Sequence, residues 1–235
     1  MKMNGHTKSY IKILKKIPLF LLFFFCTTSL WVLLYRFINP TYTSLMFQRQ
    51  YESKGNNLTL KKQWIEYEEI SIYLKQALIV SEDMSFLHHR GFDYNAIRNA
   101  YYLNKKKGAF IYGASTITQQ TAKNVFLWHG KSWVRKILEA YFTVLIELFW
   151  DKKRILEVYL NVVECGNGVF GAEAASRIYF NISAKDLTLE QASLIVAILP
   201  NPRRQSLKSP STSVIEISKT IRWRISKYPQ IIYGL

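Results

Sequence analysis

A long apolar run near the N-terminus sets the first limit on how this chain can fold. Residues 17–38, IPLFLLFFFCTTSLWVLLYRFI, are apolar except for three hydroxyl side chains and Arg36. A helix rises about 1.5 Å per residue, so this run is long enough to cross roughly 30 Å of hydrocarbon. A cleaved signal peptide would have an apolar core of only about 7–15 residues that ends in small side chains. Because Leu30–Tyr35 is bulky, we expect an uncleaved transmembrane helix over 17–38.

The charges beside this run predict how the helix is oriented across the membrane. Residues 1–16 contain five lysines and no acid, and positively charged flanks stay in the cytoplasm. We therefore expect residues 1–16 to be a cytoplasmic tail and the chain after residue 38 to be exported. The formal net charge is +16, and without these five lysines 27 of the 32 basic side chains remain, against 16 acidic ones. Its partner should be anionic, and export favours lipid or phosphate over nucleic acid.

The exported part divides into a polar segment and a helical domain. Residues 39–62 are mostly polar and contain a proline and a glycine, which predicts a stalk. Residues 63–235 have no sustained alternation of the kind that strands require, so we expect a mainly α domain with a basic C-terminal tail. Thr116–Gln119 and Thr188–Gln191 have the capping-box form that opens a helix, and Asp151 is placed to cap another.

Residues 81–93, SEDMSFLHHRGFD, collect acids and histidines just after an apolar helix. Such a stretch fits a solvated turn, a metal site or one half of an acid–base pair. Glu82 and Asp83 stand four and three residues before Phe86, so a helical turn would bring the acids beside the ring. An acid beside a ring in a cleft suits a general base whose pKa is tuned by partial burial. On these residues alone the solvated turn is favoured.

Residues 113–127, GASTITQQTAKNVFL, predict a polar helical face. A hydroxyl, two amides and an ammonium near a helix N-terminus suit a phosphate or a sugar. The polar outer face of a soluble helix is the alternative, and the residues alone leave both open. The four side chains fall on one side of the helix because their spacings are four, three and one: Thr116, Gln120, Lys123 and Asn124.

RKILE, residues 135–139, places charges on an apolar helix predicted over 132–150. Arg135 and Glu139 are one helical turn apart, and a simple ion pair between them would be worth a few tenths of a kcal/mol. The surrounding side chains are apolar on most sides, so the helix is expected to be buried. Charges on a buried helix must be partnered or functional, and here the functional interpretation is favoured.

Two further segments have distinctive compositions. Residues 94–112, YNAIRNAYYLNKKKGAFIY, interleave aromatic and basic side chains. This composition fits a segment that dips into a membrane interface, and it fits equally a loop with one packed aromatic side. Residues 152–180 combine a helix with a glycine-rich turn and are interpreted mostly as scaffold.

Taken in chain order, four segments resemble the motifs of one family. EDMSFLHHRGFD, GASTITQQTAKNVFL, RKILE and KRILEVYLNVVECGNGVFGAEAA are similar to the successive motifs of the family-51 peptidoglycan glycosyltransferases, from about Ile70 to Pro202. These are the glycan-polymerising domains of class A penicillin-binding proteins and the monofunctional biosynthetic transglycosylases. The resemblance implies a lysozyme-like, two-lobed helical domain. Ala114 and Cys165 depart from the pattern, where a second glycine and a larger residue are usual.

The same resemblance implies a reaction. Lipid II would be polymerised into a β-1,4 glycan with inversion of configuration, and undecaprenyl pyrophosphate would be released. Only 33 residues follow Pro202, so no transpeptidase domain is expected, and the enzyme should be monofunctional and insensitive to β-lactams. A lytic transglycosylase that cleaves glycan, or an inactive membrane-anchored cell-wall scaffold, are the alternatives.

The resemblance also implies residue roles. Glu82 would be the general base, and Lys123, Arg135 and Lys136 would stabilise the leaving pyrophosphate. Glu139 would either hold a divalent cation, Mg²⁺ or Mn²⁺, or orient Arg135, and the sequence leaves both roles open. The side chains expected to bind and position the substrate are Asp83, Phe86, His89, Ser115, Thr116, Gln120 and Asn124, with His88 at the surface.

Partners and location follow from the same resemblance and from the charge. The expected partners are lipid II and the growing glycan strand, membrane lipid held by the basic tail, and cell-division and wall-synthesis proteins, but no nucleic acid. The expected location is the bacterial inner membrane, with the N-terminus in the cytoplasm and the catalytic domain on the periplasmic side.

Overall fold

The computed structural model describes residues 5–53, 58–109, 111, 113–130 and 132–228, with side chains described from Lys16 onward. These residues form two compact units that divide between Asn39 and Pro40. Each unit is described by itself below. Residues 1–4 of the expected cytoplasmic tail lie outside the described part of the chain, as do residues 54–57 of the expected stalk.

The N-terminal unit contains one helix, α1 (Gly5–Leu34). Its Lys16–Leu34 stretch is long and apolar enough to cross a membrane. The expected helix over 17–38 is therefore too long at its C-terminal end. Arg36 and Phe37 donate to the carbonyls of Leu33 and Leu34, three residues back rather than four. This tightening is typical of a helix end.

The second unit is mainly α, as predicted, with nine α-helices and one small sheet among its described residues. The predicted helix starts are confirmed: Thr116 and Thr188 form complete capping boxes with Gln119 and Gln191, and Asp151 caps its helix. The helices are α2 (Ser44–Glu52), α3 (Ile72–Glu82), α4 (Tyr94–Lys107), α5 (Ile117–Phe126), α6 (Trp133–Phe149), α7 (Lys152–Val162), α8 (Ala172–Phe180), α9 (Leu189–Ile198) and α10 (Thr212–Lys227).

Two groups of helices build the core. Helix α5 packs against α6 and α7, and α3 packs against α9 and α10. Phe126 of α5 and Phe142 of α6 stack with their ring centroids 4.8 Å apart. The sheet has the order β1-β3-β2, with β1 parallel to β3 and β2 antiparallel to it. Its strands are β1 (Lys61–Lys62), β2 (Glu164–Gly166) and β3 (Val169–Phe170).

The stalk expected over 39–62 is instead part of the folded domain. Helix α2 packs against α5, and its Leu45 and Met46 are buried with Phe170. The Arg49 guanidinium lies 2.8 Å from the carboxylate of the buried Glu164. The polar composition predicted that this segment is exposed. Composition does not reveal that Arg49 pairs with an acid 115 positions away.

Helix α6 is less buried than the sequence suggested. One of its faces is covered by the core, but the opposite face exposes apolar side chains, with Trp133 86% exposed. Helix α4 buries none of its residues. These surfaces fit the interfacial interpretation of residues 94–112, which remains a prediction, with residues 110 and 112 outside the described chain. The exposed apolar side chains of α6 are Trp133, Val134, Ile137, Val144 and Leu148.

Candidate active site

The end of α3 and the start of α5 are joined through Asp83. Its carboxylate accepts the backbone N–H of Ile117 at 3.0 Å and lies 2.9 Å from His89 Nε2. The N–H of Gly91 donates to His89 Nδ1 at 3.1 Å. Because Nδ1 accepts, the proton that His89 donates to Asp83 is on Nε2. Asp83 and His89 therefore help to hold the end of α3 against the start of α5, and their contact with substrate remains a prediction.

Two other predicted substrate contacts are also buried supports. The Thr116 hydroxyl donates to the carbonyl of Gly91 at 2.7 Å and accepts the N–H of Gln119, and this residue is only 2% exposed. The Phe86 ring is fully buried, with Lys152 Nζ 4.6 Å from its centroid. Thr116 nevertheless lines the cavity beside Glu82, and contact of Thr116 and Phe86 with a sugar or a phosphate remains a prediction.

Glu82 is held by a chain of two hydrogen bonds. The Gln120 amide donates to Glu82 Oε2 at 2.9 Å, and the Tyr159 hydroxyl donates to Gln120 Oε1 at 3.0 Å. Burial raises the pKa of Glu82, while the Gln120 hydrogen bond and the nearby Lys123 oppose that shift. A carboxylate with a raised pKa is a better proton acceptor.

The sequence did not predict Tyr159 as a site residue, because residues 152–180 are interpreted there as scaffold. One feature of α7 indicated it: a phenol in a run of apolar side chains must find a hydrogen-bond partner once it is buried. The Tyr159 side chain is fully buried, and Gln120 is that partner.

A cluster of charges lies beyond Gln120. Burial lowers the pKa of Lys123, and Glu139 opposes this shift, while Arg135 and Lys136 add to it. Glu139 is 3% exposed, and its two oxygens bind Arg135 Nη1 and Lys136 Nζ. Arg135 Nε also donates to the Gly130 carbonyl at 2.7 Å. The cluster of Lys123, Arg135, Lys136 and the buried Glu139 carboxylate therefore carries an excess of positive charge.

The contacts of Glu139 agree with one of its two predicted roles. Both of its oxygens are bound by cations, as expected if Glu139 orients Arg135. Among the described residues, no group of three or more acidic, histidine or cysteine side chains is placed to hold a metal ion. A cation bound through a pyrophosphate would take most of its oxygen ligands from that group, so the metal role remains a prediction.

Two cavities meet at the Glu82–Gln120 pair. The base cavity, about 210 Å³, is lined by Glu82, Asp83, Ser115, Thr116 and Arg224 among others. The lysine cavity, about 230 Å³, is lined by Gln120, Lys123, Asn124, Tyr159, His129 and Arg49 among others.

The walls of these cavities include residues that the sequence did not indicate. Arg49 comes from the segment read as a stalk. Arg224 comes from the basic tail, and its Nη1 donates to the Val80 carbonyl at 3.2 Å. Burial lowers the pKa of His129 to about 4, so this ring is neutral at neutral pH. His88 is exposed, as predicted.

This geometry is typical of an acid–base enzyme that acts on an anionic substrate. The Glu82 carboxylate is held by Gln120, and Gln120 also lines the lysine cavity with Lys123 and Arg49. Comparison with known proteins gives the family. A model described as "Transglycosylase" matches residues 51–224, and the chain belongs to this transglycosylase family, as the motifs predicted.

Three relatives agree with this assignment, and each is named a biosynthetic peptidoglycan transglycosylase. The protein from Pseudomonas fluorescens is 49% identical over 88% of this chain and 87% of its own length. The one from Bdellovibrio bacteriovorus is 50% identical over 87% and 82%. The one from Pseudomonas entomophila is 46% identical over 92% of both chains.

Proposed function

We propose that this chain is a peptidoglycan glycosyltransferase that polymerises lipid II into β-1,4 glycan and releases undecaprenyl pyrophosphate. The observation that carries the proposal is the position of Glu82. Its carboxylate is fixed by Gln120 at 2.9 Å, between the base cavity and the lysine cavity with its cations. The names of the relatives support a role in peptidoglycan synthesis.

The base cavity receives the acceptor sugar in this proposal. A sugar hydroxyl is a poor nucleophile, and Glu82 takes the proton of the acceptor 4-hydroxyl as its oxygen bonds to the anomeric carbon of the donor. The raised pKa of Glu82 helps the carboxylate to hold that proton. Ser115, exposed on the wall of this cavity, is available to the acceptor.

The lysine cavity receives the donor. As the bond between the anomeric carbon and the pyrophosphate oxygen breaks, negative charge collects on the leaving group. Lys123 meets this charge directly, and Arg135 and Lys136 add positive potential beside it. The acceptor attacks from the face opposite the pyrophosphate, so a single displacement inverts configuration and requires no covalent glycosyl-enzyme.

The cation cluster is what favours polymerisation over glycan cleavage. A lytic transglycosylase has a catalytic acid but releases no pyrophosphate, so it has no use for Lys123, Arg135 and Lys136 together. An inactive scaffold would not require a carboxylate held by two successive hydrogen bonds.

Polymerisation of purified lipid II in detergent tests the proposal. The full chain should convert lipid II into long glycan and release undecaprenyl pyrophosphate, and it should release no muropeptides from intact sacculi. Muropeptide release without glycan synthesis would instead identify a lytic enzyme, and neither activity would favour the scaffold.

We further propose that α1 anchors the chain in the bacterial inner membrane, with the N-terminus in the cytoplasm and the catalytic unit outside. The lysines of residues 1–16 support this direction. The exposed apolar side chains of α4 and α6 support contact with the bilayer surface. Cell-division and wall-synthesis proteins remain the expected protein partners.

A further inference from the structure

A third cavity, which the proposed reaction does not use, adjoins the lysine cavity. This arginine cavity encloses about 960 Å³ and is lined by Arg49, Asn167, Asn201, Arg203, Arg204 and two prolines. Arg49 and both prolines also line the lysine cavity. The two cavities therefore adjoin each other at these three residues, which places the arginine cavity next to a ligand seated beside Lys123.

The loop that carries Arg203 and Arg204 is held in place. The N–H groups of Arg204 and Gln205 donate to the Asn201 carbonyl at 3.1 and 3.2 Å. The Ser211 hydroxyl donates to Gln205 Oε1 at 3.1 Å. These bonds fix the backbone from which the Arg203 and Arg204 side chains reach the wall of the cavity.

The charges on this wall are available to a ligand. Among the described residues, no carboxylate pairs with Arg204. Arg203 pairs with Glu52 at 3.3 Å, but its side chain is 49% exposed, and an exposed pair of this kind is easily exchanged for another anion. Arg49, in contrast, is fixed against the buried Glu164.

We infer that the arginine cavity is a subsite for the growing glycan strand, in which Arg203 and Arg204 bind the carboxylates of its stem peptides. This inference rests on the proposed function. The pyrophosphate of the donor stays at the reacting end beside Lys123, so the strand beyond it carries negative charge only on its peptides. Guanidinium groups match carboxylates through paired hydrogen bonds, and the amides of Asn167 and Asn201 suit sugar hydroxyls.

A comparison of two substrates tests this inference. The double variant Arg203→Gln/Arg204→Gln and the unchanged chain are each given ordinary lipid II, or lipid II whose stem-peptide carboxylates are amidated. Glycan length is compared at equal substrate consumption. With ordinary lipid II the variant should make strands shorter by about twofold or more, because each strand dissociates sooner once its carboxylates lose their partners. With amidated lipid II the two proteins should make equally short strands.

The control is Arg177→Gln, which removes an exposed arginine that pairs with Glu173 within α8 and should keep the strand length. A melting curve checks that each variant is folded. Unchanged strand length in the double variant, or equal shortening with both substrates, would overturn the peptide-carboxylate assignment. If the unchanged chain makes no glycan at all, the proposed function fails instead, so the two failures are distinguishable.

Discussion

The side-chain amide of Gln120 bonds Glu82 through its nitrogen at 2.9 Å and Tyr159 through its oxygen at 3.0 Å. Rotation of this amide by half a turn would place its oxygen against the Glu82 carboxylate, and both groups only accept. The carboxylate therefore fixes which end of the amide faces it, and the phenol donates to the amide oxygen on the other side. Through this one residue, a buried side chain of α7 is linked to the base on α3.

Glu82→Gln should abolish glycan synthesis and leave the fold intact. Burial raises the pKa of Glu82, so the unfolded chain loses this proton at a lower pH than the folded chain does. As pH rises through that interval, the ionised group lowers the free energy of unfolding. The variant should therefore melt at an equal or higher temperature than the unchanged chain at neutral pH. Lipid II turnover close to that of the unchanged chain would rule out Glu82 as the base.

Tyr159→Phe should slow glycan synthesis by roughly tenfold, because Gln120 loses a bond worth about 1–1.5 kcal/mol and no longer fixes Glu82. The control is Tyr179→Phe, which removes a hydroxyl that donates to the Cys165 carbonyl at 3.1 Å. Both changes should lower the melting temperature, but only the first should lower the rate per folded molecule. Equal rates in the two variants would contradict the role of the Tyr159 hydroxyl.

Glu139→Gln should lower the rate of polymerisation and leave its dependence on Mg²⁺ unchanged. The two oxygens of Glu139 bind Arg135 and Lys136, so the variant loses the group that orients both cations. Rates are measured over a range of Mg²⁺ concentrations, with EDTA-treated protein as the zero point. A shift of the Mg²⁺ requirement in the variant would instead support the metal-binding role of Glu139.

A fragment that begins at Gln63 should be far less stable than one that begins at Pro40. Without Arg49 the buried Glu164 loses its partner, and breaking a buried pair in this way costs about 3–5 kcal/mol. Leu45 and Met46 would also no longer cover Phe170. Thermal melting of the two fragments measures the difference. Equal melting temperatures would show that residues 40–62 do not stabilise the domain, as expected of a stalk.

The sequence was most informative where a local rule fixes the structure. Capping boxes need only four consecutive residues, so the starts of α5 and α9 could be predicted from Thr116 and Thr188. Motif order also predicted that Glu82 and Lys123 share a site, and the attraction between them is part of the electrostatics of both groups.

Features that depend on distant partners could not be predicted in this way. Residue type does not tell which contacts a side chain makes within the protein, and the contacts of Thr116, Phe86 and His89 could not be predicted from their types. Arg49 looked like a solvated charge because its acid lies 115 residues further along. Such pairs are formed by the tertiary fold, and no short window of sequence contains both members.

The bonds that join Asp83 to Ile117 and His89 have a consequence for how mutational screens of this chain should be interpreted. Inactive variants in residues 113–127 will fall into two groups, those that lose a substrate contact and those that detach α5 from α3. Growth or turnover alone cannot separate these groups. Variants of the second kind should recover activity on cooling or with a stabilising second change elsewhere, and variants of Lys123 should not.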